Sequence, residues 1–333
     1  MTPLRSLLIC MVPFSFLGAC VPAVIVPPPT GTASLSNIPP TSPMLTDTDP
    51  AEMMESAIPE ATETIEPTAT PTLTLTATQT LTATATALPM ELALNPANWH
   101  TWPILPIVPE RVKLIYQYGQ ALGNDPHAFS VLGDCQAVPK VFMGVYETDE
   151  ELSSRLPEDL QETVDWFSGS FSRMSPTIKP STTTAALLWP TWHENKYTCT
   201  LYETPLACEL RLHKPSFALI HVGTHYESPN DYYMQKILDE LIEAGVVPIL
   251  YSKADNREYD EEINLEYAQL AVEYDIPFWN FWAALVSLDN RGLYTKTDVW
   301  FQGDVYMSEQ ALMVHRLTAL QTLDVVRRAV GGK

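Results

Sequence analysis

Basic residues are scarce in this chain. Its 333 residues carry 19 Lys and Arg against 40 Asp and Glu, a formal net charge of −21. Phosphate binding needs clustered Lys and Arg, so the deficit argues against a nucleic-acid partner. It equally disfavours attachment to an anionic lipid surface by charge alone. The acidity itself reads as solubility of an exposed protein. The scarcity is also uneven. Residues 1 to about 95 hold one basic residue, Arg5, and all eight tryptophans fall from Trp99 onward. No repeat of about 20 to 50 residues appears, the period that marks solenoids and propellers. Cysteines and histidines do not gather at close spacing, so no metal and no cofactor is expected.

What is present begins with an export signal. Arg5 precedes the apolar run Leu7 to Leu17, which closes in Leu17-Gly18-Ala19-Cys20. A positive start, an apolar centre and small residues at the end make a secretory signal. The tetrad resembles the lipobox of bacterial lipoproteins, which implies cleavage before Cys20 and a diacylglycerol thioether on it. An uncleaved anchor is the alternative, because Leu7 to Val26 carries no charge and is long enough to span a bilayer. Pro13, Gly18 and Pro22 weaken such a helix without forbidding it. Both readings place the rest of the chain outside the cytoplasm, tied to a membrane through its N-terminus.

A spacer follows over 21–96, dominated by Thr, Pro and Ala and dotted with acids from Asp47 to Glu66. It cannot bury enough apolar area to offset chain entropy, so a disordered, extended stalk is expected. Residues 97–333 then form one domain, an ordinary size for a single core. Trp99 and Trp102 are expected to pin its first segment against that core. Helices are expected around Val112 to Ala121, from Pro157 through Val164, Phe167 and Phe171, after Pro229, over Glu258 to Tyr274, and from Ser308 to Val330. Strands are expected at Phe129 to Leu132, Ala185 to Trp189, Ser216 to Val222, Val246 to Leu250 and Ile276 to Phe281. The alternation argues for an α/β fold, a parallel sheet with helices on both faces. Thr191 to Leu210 shows no strong periodicity. It contains Cys199 and Cys208, which an exported protein would join as a disulfide.

The chemistry gathers around Phe129-Ser130-Val131-Leu132-Gly133-Asp134-Cys135-Gln136. A buried strand ends in a glycine turn, and a nucleophilic side chain follows at the carboxyl edge, where open α/β sheets bind ligands. This stretch resembles the first motif of the SGNH, or GDSL, hydrolases. The likeness continues through Leu206 to Gly223, Lys253-Ala254-Asp255-Asn256 and Ile276 to Phe281, and it points to a subgroup on bacterial cell surfaces. It implies an SGNH-hydrolase-like, flavodoxin-like sheet. It departs from the family at the site. Cys135 stands where the family has its serine, and His225 where it has the oxyanion asparagine. Tyr306 stands for the general-base histidine and Gly303 for the aspartate ahead of it. Asp304 has no histidine three residues on, and His315 lies two turns inside the last helix. Gly169 is a weak match for the second-motif glycine.

Three readings follow. A tyrosine of reference pKa ~10 is a poor base at neutral pH, so the first is a catalytically degenerate domain that binds a ligand or glycan. The second is a Cys135–His225 dyad, an esterase or acyltransferase on surface glycans or other esters, with Asp134 or Asp304 orienting the imidazole. The third is a structural or adhesive module. Trp189, Trp192, Trp279, Trp282 and Trp300 could stack on sugars, although core packing is the commoner use.

Overall fold

The computed structural model describes residues 94–194, 197–223, 227, 231–254, 262–295 and 305–331. The signal, the stalk and Cys20 lie outside the described residues, as do His225, Trp300, Gly303 and Asp304. Among the described residues no helix is long and apolar enough to cross a membrane.

After a 3-10 turn at Pro96–Thr101, the chain runs α1 (Arg111–Leu122), β1 (Asp125–Gly133), α2 (Val145–Thr148), α3 (Glu150–Ser154) and α4 (Glu158–Trp166). It continues through α5 (Thr184–Leu187), α6 (Pro205–His213), β2 (Pro215–His221), α7 (Asp231–Glu243), β3 (Val247–Tyr251) and α8 (Glu262–Glu273). The last part holds β4 (Phe278–Trp279), α9 (Phe281–Ala284), the hairpin β5 (Leu293–Thr295) and β6 (Val305–Met307), and α10 (Glu309–Ala329).

Strands β1 to β4 pair in that order, all parallel. One more parallel bridge joins Ile178 to Gly133. Gly133 N donates to Thr177 O and Lys179 N donates to Gly133 O, each at 3.2 Å. A residue's N–H and C=O point to one side of its strand, so this segment lies across β1 from β2. The chain's second extended piece is thus outside the first, and the later strands build the other way. This is the 2-1-3-4-5 order of flavodoxin-like sheets, whose switch point falls between β1 and β2. Every residue of β2 and β3 is buried. Since successive side chains face opposite ways, both faces of the sheet are covered, as the apolar runs predict.

Side-chain caps explain where some of the helices start. Ser308 accepts from Ala311 N at 3.2 Å to open α10, whose Ala319, Leu320, Leu323 and Val326 are fully buried. Arg327 and Arg328 close it, where positive charge suits the dipole. Thr204 accepts from Ala207 N and Pro205 takes the first turn of α6, a helix in the stretch that lacked periodicity. Trp99 and Trp102 are buried, as expected, and Asn280 clasps them by donating to Trp99 O (2.8 Å) and Trp102 O (3.2 Å).

Several elements differ from expectation. Ala185 to Trp189 is not a strand. Thr183 caps Ala186 N, the carboxylate of Glu227 receives Thr184 N, and two alanines favour the helix α5. Helix α4 stops at Trp166, before Phe167 and Phe171. Both rings still pack on Phe129, with centroids 5.4 and 4.8 Å away, because the following turn folds them back onto β1. Of Ile276 to Phe281 only Phe278–Trp279 pairs, since Asn280 caps α9 instead. Gly169 is not beside the site. Trp166 donates to Pro126 O and Ser170 Oγ accepts from Phe129 N, which sets this turn along the earlier part of β1. The segment that reaches Gly133 is Thr177 to Lys179.

Candidate functional site at the carboxyl edge

Strand β1 ends at Gly133, and the position admits only glycine. A Cβ there would lie 2.3 Å from Ala137 Cβ and 2.6 Å from His221 O. Asp134 then leaves the strand and caps the single turn Cys135–Ala137, its carboxylate accepting from Gln136 N at 3.1 Å. Asp134 is 2% exposed and Cys135 4%. Reactive thiols sit in partly exposed, electropositive surroundings, whereas structural ones are buried. Cys199 and Cys208 form the expected disulfide, with Cα atoms 5.4 Å apart. Glu203 approaches both sulfurs, but the S–S bond removes the thiolates a metal would need.

The parallel register sets His221, the last residue of β2, directly beside Gly133. Its Nε2 lies 2.6 Å from Nε2 of His315 on α10. Both rings are buried, His221 at 1% and His315 at 0% exposure. Aromatic faces enclose them. Tyr251 stacks on His221 at 4.3 Å, while Phe142, Phe281 and Trp279 lie 4.5, 4.6 and 5.5 Å from His315. Burial pushes His221 down to about 4, against the pull of the Asp134 carboxylate. Burial, then the charges of His221 and Arg316, hold His315 well below its ordinary value. At neutral pH the rings are therefore a neutral pair. One Nε2–H donates to the other Nε2, and the accepting ring carries its hydrogen on Nδ1. Neither Nδ1 has a hydrogen-bond partner among the described residues.

This pair was missed in the sequence. His221 read as one more residue of an apolar strand, and His315 as too deep in its helix to serve the site. The signal was positional. His315, Ala319 and Leu323 recur every four residues along the buried stripe of α10. A histidine on such a stripe must find a polar partner inside.

Around the edge, the loop after β2 turns at Gly223. Its φ is +70°, and a Cβ would meet Glu227 Cβ at 2.6 Å. Gly223 N donates to Thr182 O at 3.2 Å, which ties this loop to the segment beside Gly133. After β3, Lys253 is buried, and its backbone is clamped by Asn264, which accepts from Lys253 N at 2.7 Å and donates to Lys253 O at 3.2 Å. On α8, burial and the carboxylates of Glu262, Asp231 and Glu227 push Glu266 up to about 7. The structure thus brings Asp134 and Cys135 together at the switch point. Tyr306 pairs with Tyr294 in the antiparallel hairpin, their rings 5.9 Å apart, in a sheet separate from the parallel one.

No family model matches this chain, and no curated protein matches it in sequence. Solved structures similar in shape include two from Bacteroides. One is a Bacteroides fragilis protein described provisionally as an acylhydrolase, 11% identical, with a TM-score of 0.39 over 64% of this chain and 95% of that one. The other is a GDSL-like lipase of Bacteroides thetaiotaomicron, 12% identical, with a TM-score of 0.35 over 66% of this chain and 98% of that one. These low scores describe a loose likeness.

Proposed function

We propose that this is an exported, membrane-anchored lipoprotein whose folded part is an SGNH-hydrolase-like domain that binds a ligand at its carboxyl edge without turning it over. One observation carries the reading. The histidine beside Gly133 has its Nε2 taken up by a second imidazole inside an aromatic cage, and the Cys135 thiol is itself buried. A base for Cys135 would need an accessible nitrogen with a pKa near the working pH, and this pair offers neither. The ligand class that fits an acidic, exported domain on a stalk is a neutral component of the cell surface, a glycan foremost. Export is supported by Leu17-Gly18-Ala19-Cys20 and by the Cys199–Cys208 disulfide, a bond that persists in oxidising compartments.

The test uses the full chain. Hydrolysis of p-nitrophenyl acetate should run at the same rate for the wild type and Cys135→Ala, both at the buffer background. Turnover abolished by Cys135→Ala would overturn the binding reading in favour of a thiol esterase, with His225 as its base. Metabolic labelling with an alkyne fatty acid should mark the wild type and not Cys20→Ser; equal labelling would refute the lipid anchor.

A further inference from the structure

We infer that the lobe from Trp189 to Thr204 is the saccharide-recognition face of this edge, with the indole of Trp189 as its stacking platform. The inference rests on the reading above that the edge binds a ligand, and it adds where and by what chemistry.

Position comes first. Lys179 N donates to Gly133 O, and Gly223 N donates to Thr182 O, so the chain leaving the sheet between Lys179 and Thr182 touches the ends of both β1 and β2. Trp192 is fastened to that chain. Its Nε1 donates to Thr182 Oγ1 at 3.0 Å, its carbonyl accepts from Lys179 Nζ at 3.1 Å, and the same ammonium lies 4.3 Å over its ring. Helix α6 packs along β1, with Lys214 O accepting from Asp125 N at the start of that strand and Glu209 accepting from Ser130 further on, so the first turn of α6 and the lobe before it lie towards the carboxyl edge. The lobe is therefore a rim of the Cys135 site.

Rigidity comes second. The disulfide joins Cys199 to Cys208. Glu203 takes a two-pronged ion pair from Arg211, at 2.7 and 2.8 Å, and accepts from Thr200 N at 2.9 Å. Arg211 also donates to Thr198 O, and the His193 imidazole bonds Glu203 O at 3.1 Å. These links tie the described parts of the lobe to α6 before anything binds, which lowers the ordering cost of binding.

What the lobe presents comes third. Among the described tryptophans, Trp189 is the exposed one, at 63%; Trp99, Trp102 and Trp279 are buried and the others half-buried. Tyr202, at 85%, is exposed on the same lobe. Rigid aromatic faces give large contact area at little entropy cost, and their polar edges reach hydrogen bonds. Thr191, Thr198 and Thr200 are exposed on the same lobe. The charge of Glu203 is matched by Arg211, and Lys179 is occupied by Trp192. Glu194 adds an exposed acid to the same lobe, so a flat, hydroxylated ring without negative charge fits this surface, and the net charge of −21 also disfavours a polyanion.

The full-length protein in detergent is titrated with cellohexaose, xylohexaose, laminarihexaose, chitohexaose and hexagalacturonate, read by calorimetry and tryptophan fluorescence. At least one neutral hexaose should bind. Trp189→Ala should weaken that binding by about tenfold or more, as loss of an aromatic anchor does, with the thermal midpoint unchanged. Trp189→Tyr should retain most of it. Failure of every neutral hexaose to bind, equal binding by Trp189→Ala, or preference for hexagalacturonate would each overturn the assignment. Hydrolysis by the same preparations is scored separately. Turnover that depends on Cys135 would sink the non-catalytic reading, while the Trp189 series would still decide the rim.

Discussion

Two buried polar clusters flank β1, and they handle charge in opposite ways. On one side Glu209 of α6, 0% exposed, receives Ser130 Oγ and an ion pair from Arg173 at 2.8 Å, and Arg173 also donates to Phe129 O and Ser130 Oγ. His213 stands 3.7 Å from the second carboxylate oxygen; burial lowers its pKa, although Glu209 pulls it up. That cluster keeps its charge and supplies a counter-charge. On the other side His221 and His315 keep no charge. They face aromatic rings and share one hydrogen bond. The difference teaches what each cluster can tolerate. An ion pair fails when one partner is removed, whereas a neutral imidazole pair fails when a proton arrives.

The largest effect should come from breaking the ion pair. Arg173→Ala should cost roughly 3–5 kcal/mol in denaturant unfolding, because it leaves a buried carboxylate without its cation. Replacing both partners, Arg173→Met with Glu209→Leu, should recover most of that. A loss below about 1 kcal/mol for Arg173→Ala would show that Ser130 and His213 suffice, and the contrast would fall.

Next in size is acid sensitivity of the imidazole pair. The folded value for His221, about 4, lies below the unfolded reference of ~6.5. The unfolded chain therefore takes up the proton first. The stability is complete above about 6.5 and is lost as pH falls towards 4, by about 3 kcal/mol from His221 alone, with His315 acting in the same direction. In His221→Phe/His315→Leu this limb of the stability profile should flatten. Parallel profiles for wild type and double variant would mean that other groups set the acid limit.

The smallest effect concerns an intermediate case, a half-buried acid whose charge is opposed by burial and by neighbouring carboxylates. Glu266 is raised to about 7, above its unfolded value, so its contribution worsens as pH rises from about 4.5 to 7. Glu266→Gln should raise stability at pH 8 by less than about 1 kcal/mol, given its exposure. A destabilising result would point to a hydrogen-bonding role for the carboxylate.

The parallel sheet and the helices α1, α7, α8 and α10 were legible from their apolar periodicity, and the start of α10 also from its Ser308 cap. The Cys199–Cys208 pairing was legible from export and spacing. The misread elements share a cause. Phe167 and Phe171 have helical spacing, yet a turn carries them to the same core, and spacing records burial without recording backbone. Ala185 to Trp189 looks apolar and strand-like until Glu227, far along the chain, receives Thr184 N. At the site, Gly133-Asp134-Cys135 marked the right edge, but the partner of His221 is 94 positions away. No local pattern states that two histidines on a strand and a helix will meet.

The segment that opens the domain does more than anchor it. Among the described residues β4 is the last strand of the parallel sheet, and its outward backbone would be available to any passing strand. Ile104 O takes the hydrogen of Asn280 N at 3.0 Å, Trp102 packs edge-on against Phe278 at 5.2 Å, and Arg111 holds Tyr274 O. The border of the sheet is sealed by the chain's own lead-in. For molecules crowded side by side on one membrane, as proposed above, this seal is a safeguard against fibre-like stacking.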